Sequence, residues 1–164
     1  MRGDSVQSMR TEHHYSTTIQ WRGNRGTGTS GYRDYGREVL VTADGKHPID
    51  GSADPTFHGN ADRWNPEEML LAALSQCHLL SYLHVAVLRG FVVTAYTDEA
   101  VGAMEQTPDG GGHFTSVTLR PHVTVASSDM VDAAVHGHKL AHRMCFIANS
   151  VNFPVLHEPR VVVG

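Results

Sequence analysis

The chain has two cysteines, no cluster of lysine and arginine, and no Asp, Glu, Lys or Arg between Met69 and Leu88. Each shortage excludes something. Cys77 and Cys145 lie too far apart in the chain for zinc-ribbon or thioredoxin spacing, and two cysteines build no disulfide framework. Thirteen Lys and Arg against seventeen Asp and Glu leave a formal net charge of −4, so the basic footprint needed on a phosphate backbone is missing and no nucleic-acid partner is expected. The opening residues, Met1 to His14, lack the apolar stretch of a secretory signal, so the expected compartment is the cytoplasm. Thiols stay reduced there, and a bridge between them is reactive rather than structural. The glycines Gly23, Gly26 and Gly28 fit neither dinucleotide nor Walker spacing and read as a turn.

What is present is organised around one stretch, Asn65 to Gly90. Asn65 suits a helix cap, Pro66 its first position, and Glu68 completes a capping-box pattern. The absence of charge makes nearly every face of this helix apolar, which places it in an interior. Its length raises a membrane span, since roughly 20 apolar residues cross a bilayer. Ser75, Gln76, His78, Ser81 and His84 interrupt it, and its flanks read as strands of a soluble domain, so no membrane is expected. A chain of 164 residues is small to wrap such a helix completely, and its burial calls for a partner.

Residues 1–11 read as a flexible tail and 12–164 as a single domain. Tyr15, Thr17, Ile19 and Trp21 alternate with polar residues as in a half-buried strand. Further strands are predicted over 32–42, 47–49, 91–101, 114–126 and 155–163, with an irregular loop over 50–64 and a second helix from about Asp129 to Met144. The order β-β-β-α-β-β-α-β argues for an α+β domain with helices on a mainly antiparallel sheet. Twelve histidines make the net charge sensitive to pH between 7 and 5.

Cys77 falls mid-helix, away from any helix N-terminus, so a cation brought by another part of the fold or by a second chain must activate it. Buried cysteines commonly serve as small apolar fillers. Here each lies beside or near histidine, with arginines upstream. His138, His142 and Cys145 share one face of the second helix and, with His78 or Cys77, offer an alternative: a metal- or ligand-binding module without turnover. Histidines on a half-exposed helix are more commonly solvated. His78 projects about 100° from Cys77, which suits packing.

The run Asn65-Pro66-Glu67-Glu68-Met69-Leu70-Leu71-Ala72-Ala73-Leu74-Ser75-Gln76-Cys77-His78 resembles the NPEELLLAALAACH signature of the OsmC/Ohr superfamily, the osmotically inducible and organic hydroperoxide resistance proteins. Ala141-His142-Arg143-Met144-Cys145, followed by Ile147 and Ser150, is similar to the second cysteine region of that family. The resemblance implies a cysteine-based peroxidase working as an intertwined homodimer without metal, flavin or other cofactor. By it, Cys77 attacks an organic hydroperoxide, Cys145 resolves the product as a disulfide, and a dithiol reductant such as a lipoyl group restores the thiols. Another thiol reaction on this scaffold, such as thioester hydrolysis, is a further alternative.

Glu67 matches the catalytic-site carboxylate of the family, yet on one straight helix it stands roughly 15 Å from Cys77. Either the helix breaks, or Glu67 serves the cysteine of the other chain, or it merely favours the helix N-terminus. The family also uses an arginine to hold the thiolate. One of its usual places is occupied here by Phe57, which leaves Arg25 in the glycine loop and Arg37 as the chosen candidates, with Arg33 behind them. Phe146-Ile147-Ala148-Asn149-Ser150 replaces a common Cys-Pro and puts the chain in a side branch. Tyr82, Trp64 and Phe57 are candidates to line an acyl-sized pocket.

Overall fold

The computed structural model describes residues 11–164, so the expected tail lies, apart from Thr11, outside the described residues. By its internal contacts the chain divides into two compact units, residues 1–66 and 67–164, and each is described by itself.

The first unit holds a three-stranded antiparallel sheet, β1 (Thr18–Trp21), β2 (Val39–Thr42) and β3 (Ile49–Gly51), in sequence order. Thr18 stands opposite Thr42, and Val39 opposite Gly51. The alternation around Trp21 does give a strand, but all four residues of β1 are exposed, so the expected half-burial is not seen. The strand expected over 32–42 begins only at Val39. Residues before it instead fold back on β1: the Trp21 indole donates to Gly36 O at 2.8 Å, and Gly36 N–H donates to Gly23 O at 2.7 Å. The two backbones run so close that a Cβ at Gly23 would strike the Gly36 carbonyl, which is why glycine stands there. Residues 52–64 form the expected irregular loop, with a single 3-10 turn at Pro55–Phe57 capped by the Asp54 side chain.

In the second unit α1 spans Pro66–Arg89 and stops at Gly90, whose φ of +73° lies in the left-handed region that glycine tolerates. Next come β4 (Val93–Asp98), β5 (Val101–Gln106), β6 (Gly112–Leu119) and β7 (Pro121–Val125), then α2 (Val131–Met144), β8 (Val155–His157) and β9 (Arg160–Val163). The strand expected over 91–101 ends at Asp98, with β5 following it almost wholly outside that range, and the strands expected over 114–126 and 155–163 are each broken in two. The pieces sort into separate sheets, ordered β4-β7-β9 and β5-β6-β8. β4 with β7 and β5 with β6 are antiparallel, whereas β8 and β9 run parallel to β6 and β7, so the sheets are mixed. Pro121 and Pro159 mark two of the breaks, because proline cannot donate to a ladder. Asp98 pins the corner by accepting the Arg120 N–H at 2.6 Å and the Ser75 hydroxyl at 2.5 Å.

α1 feeds two apolar clusters. Leu74 joins Val117, Leu119 and Val155, while Tyr82, Val85 and Ala86 join Phe91, Val123, Val125, Ala134 and Ala141. Tyr82 is fully buried and its hydroxyl donates to Ala134 O at 2.9 Å, tying α1 to α2. Gly137 allows that approach, since a Cβ there would stand 3.0 Å from the Phe91 ring and 3.3 Å from the Tyr82 ring. The interior position expected for α1 holds for this face only. Leu80, Val87 and Leu88 on the other side are exposed. Among the described residues α1 is the one helix long and apolar enough to cross a membrane.

Candidate functional site

Cys77 and Cys145 meet. Position 77 is mid-helix on α1, and position 145 is where α2 ends: Cys145 has extended φ and ψ of −75° and 108°, while its N–H still bonds His142 O at 3.3 Å. The chain then wraps around the sulfur. Ala148 N–H donates to Cys145 Sγ at 3.4 Å, Asn149 N–H to Cys145 O at 3.1 Å, and the Asn149 side-chain amide to Arg143 O at 3.0 Å. This turn is what the sequence Phe146 to Ser150 builds in the second cysteine region. Both cysteines are free thiols close enough to influence each other; Cys145 is buried and Cys77 half-buried. Burial, with the neighbouring Cys77 thiol, pushes the Cys145 thiol up to about 11. A thiol so held stays protonated and is a weak nucleophile until its neighbour changes. Phe146, next in the chain, is 74% exposed and leaves an apolar surface beside the pair.

The other expected site residues are distributed differently. α1 runs unbroken through both positions, so no kink carries Glu67 to the Cys77 of its own chain, and the rise per residue keeps them about 15 Å apart along the axis. Glu67 Oε2 is nonetheless buried without a hydrogen-bond partner, a costly state for a carboxylate oxygen. Arg25 and Arg37 belong to the first unit. Arg25 is exposed in the glycine loop, where the Asn24 side chain accepts from Gly26 and Gly28 N–H. Arg37 and Arg33 lie in the loop before β2, not on a strand. Arg37 is held firmly: it donates to Tyr35 O at 2.7 Å and Tyr32 O at 2.9 Å, and its guanidinium lies 4.1 Å and 4.9 Å from the centroids of the same two rings. Two of its five N–H donors are thus engaged and the rest are left over. Of the proposed pocket residues, Trp64 and Phe57 are exposed, whereas Tyr82 is sealed in the core and lines no open pocket.

Sequence reasoning missed a second cluster. His78 packs in the interior as expected, while His138 is buried rather than solvated, with His78 Nε2 and His138 Nδ1 3.0 Å apart. The His157 ring lies 4.4 Å from that of His78 and 4.7 Å from that of His142. Burial first, then the neighbouring rings, pushes His78 down to about 3 and His138 to about 4; His157 also falls to about 4, with Asp98 acting in the opposite direction. Only His138 and His142 announced themselves by spacing. Among the described residues no group of three or more His, Cys, Asp or Glu converges to hold a metal ion, and Cys145 has turned toward Cys77.

A family model for OsmC-like protein matches residues 59–159. The chain belongs to the OsmC-like family. Both cysteines of this OsmC-like chain fall inside the matched span. It is similar to the solved structure of an OsmC-like protein of unknown function from Vibrio cholerae, with 32% identity and a TM-score of 0.79 over 91% of this chain and all of the other. Two organic hydroperoxide resistance proteins share the fold: one from Legionella pneumophila (21% identity, TM-score 0.64, 92% of this chain and 98% of that one) and one from Elizabethkingia anophelis (18% identity, TM-score 0.64, 94% and 100%). No curated protein matches the chain.

Proposed function

We propose that this OsmC-like protein is a thiol peroxidase that reduces organic hydroperoxides, with Cys77 as the peroxidatic and Cys145 as the resolving residue. The observation that carries the reading is the neighbouring pair of free thiols, the more accessible one on α1 and the buried, protonated one beside it. The Cys77 thiolate attacks the terminal peroxide oxygen, the O–O bond breaks, and the alcohol leaves with a proton while the sulfur becomes a sulfenic acid. Cys145 then attacks that sulfur, gives up its proton, and water departs as the disulfide forms. A dithiol reductant returns both sulfurs to thiols.

A thiolate at Cys77 requires a cation. Arg37, clamped with spare donors, is the first candidate and Arg25 the second. The buried, unpartnered oxygen of Glu67 suits an arginine brought to the same site, and an unbroken α1 favours the thiol of a second subunit as the one it serves. A homodimer would also cover the exposed Leu80, Val87 and Leu88 of α1. Residues 12–164 act in this reading as one domain, in the cytoplasm. Steady-state reduction of an alkyl hydroperoxide tests it: Cys145→Ser should consume one equivalent and stop, and Cys77→Ser should consume none. Unimpaired turnover by both variants would overturn it.

A further inference from the structure

Four imidazoles, from three elements distant in sequence, occupy the seam between the two apolar clusters of the second unit. His78 comes from α1, His138 and His142 from α2, and His157 from β8. On α1, His78 lies one turn from Leu74 of one cluster and one turn from Tyr82 of the other. The rings stack: 5.3 Å separates His78 from His138 at 11° between planes, and Tyr82 lies 4.0 Å from His138 at 13°. His78 and His138 are 1% and 3% exposed. Each of the four rings has one buried nitrogen without a hydrogen-bond partner, namely His78 Nδ1, His138 Nε2, His142 Nδ1 and His157 Nε2. Such groups cost about 1–3 kcal/mol each when desolvated and call for a reason.

Nothing around the cluster would welcome a positive charge on more than one ring. Stacked on it is the Tyr82 ring, whose hydroxyl is committed to Ala134 O and whose neighbour Tyr96 on β4 has a buried hydroxyl without a partner. The single carboxylate that acts on it is Asp98, through His157, and both Asp98 oxygens are already engaged by Ser75 and the Arg120 N–H. Glu158, next to His157, is turned to Arg120 at 3.0 Å in an exposed pair. On α2, Arg143 borders a groove shared with Arg89, Asp132, His136 and Lys139, apart from the buried rings. The cluster also adjoins the thiols through the chain: Cys77 precedes His78, and the N–H of Cys145 is bonded to the carbonyl of His142.

We propose that the four-histidine cluster is an acid-operated latch, which holds α1, α2 and β8 together around Cys145 while its rings are neutral and opens that seam when they take up protons. It stands apart from the peroxidase reading, because it concerns packing and thiol exposure and not turnover. The sign follows from where the proton goes. An unfolded or opened chain takes up a proton at each ring below its ordinary value of 6.5, while in the closed fold His138 and His157 resist until about 4 and His78 until about 3. The latch is therefore fully closed above pH 6.5 and weakens progressively as the pH falls from 6.5 toward 4.

Urea unfolding of the full chain at one fixed protein concentration, at pH 7.5 and pH 5, tests the energetics. Each ring held neutral should raise the unfolding constant about thirtyfold between those two values. His157→Gln should remove one such factor, and His122→Gln, an exposed histidine on β7, should leave the response intact. If His157→Gln does not fold, a proton NMR titration of the wild-type protein gives the same answer: the His78, His138 and His157 rings should remain neutral at pH 5. Thiol exposure is read in Cys77→Ser with dithiodipyridine, where Cys145 should react faster at pH 5 than at pH 7.5. That is the opposite of what thiolate fraction alone predicts. An unchanged urea midpoint at pH 5, titration of His78, His138 and His157 near 6.5 with the fold intact, or slower reaction of Cys145 at pH 5 would each overturn the latch.

Discussion

Cys77 and His78 are neighbours in the chain and opposites in environment. One turns a half-buried thiol toward a second thiol, and the other turns an imidazole into a seam where it is 1% exposed. The helix step of about 100° is the whole geometric cause. The difference teaches that α1 carries two devices on adjacent faces. The thiol side holds a half-buried free thiol facing a second one, while the histidine side is closed and tied to packing. Changes on the first face should cost activity and spare the fold, and changes on the second should do the reverse.

The largest effect expected is Cys77→Ser, which should bring hydroperoxide consumption down to the uncatalysed rate while the urea midpoint stays within about 0.5 kcal/mol of wild type. A large stability loss in this variant would blur the separation of the two faces. Leu74→Ala, on the closed side, should cost about 3 kcal/mol in urea unfolding, because Leu74 is fully buried against Val117, Leu119 and Val155. Tyr82→Phe keeps the ring and removes the hydroxyl bonded to Ala134 O, for a loss of about 1–2 kcal/mol. Peroxide turnover in both variants, measured well below their unfolding transitions, should remain near wild type. The smallest effect belongs to Arg120→Ala: its ion pair with Glu158 at 3.0 Å is exposed, so thermal unfolding should report less than about 1 kcal/mol.

Much of this was legible in the residues. Pro66, the uncharged run from Met69 to Leu88 and Gly90 gave the bounds of α1 almost to the residue, since capping and breaking are local effects. Cys77 and Cys145 could be paired through the resemblance, and the two sulfurs do meet. The long strands were legible in composition but not in their breaks. Pro121 and Pro159 were visible signals, while the corner at Asp98 depends on bonds to Ser75 and Arg120 that no local pattern reveals. Residues 32–37 were misread because tyrosine and arginine suit a strand, yet Arg37 instead gathers the carbonyls and rings of Tyr32 and Tyr35 around itself. The histidine cluster was hidden for a similar reason. It is assembled from α1, α2 and β8, and only folding brings rings 60 positions apart to 3.0 Å.

The central claim is that Cys77 and Cys145 form one redox pair, and it is tested most directly by adding one equivalent of an alkyl hydroperoxide to the reduced protein and mapping the product by peptide mass spectrometry. The account predicts loss of both thiols and a single Cys77–Cys145 disulfide within one chain. Two thiols left free beside unconsumed peroxide would contradict it.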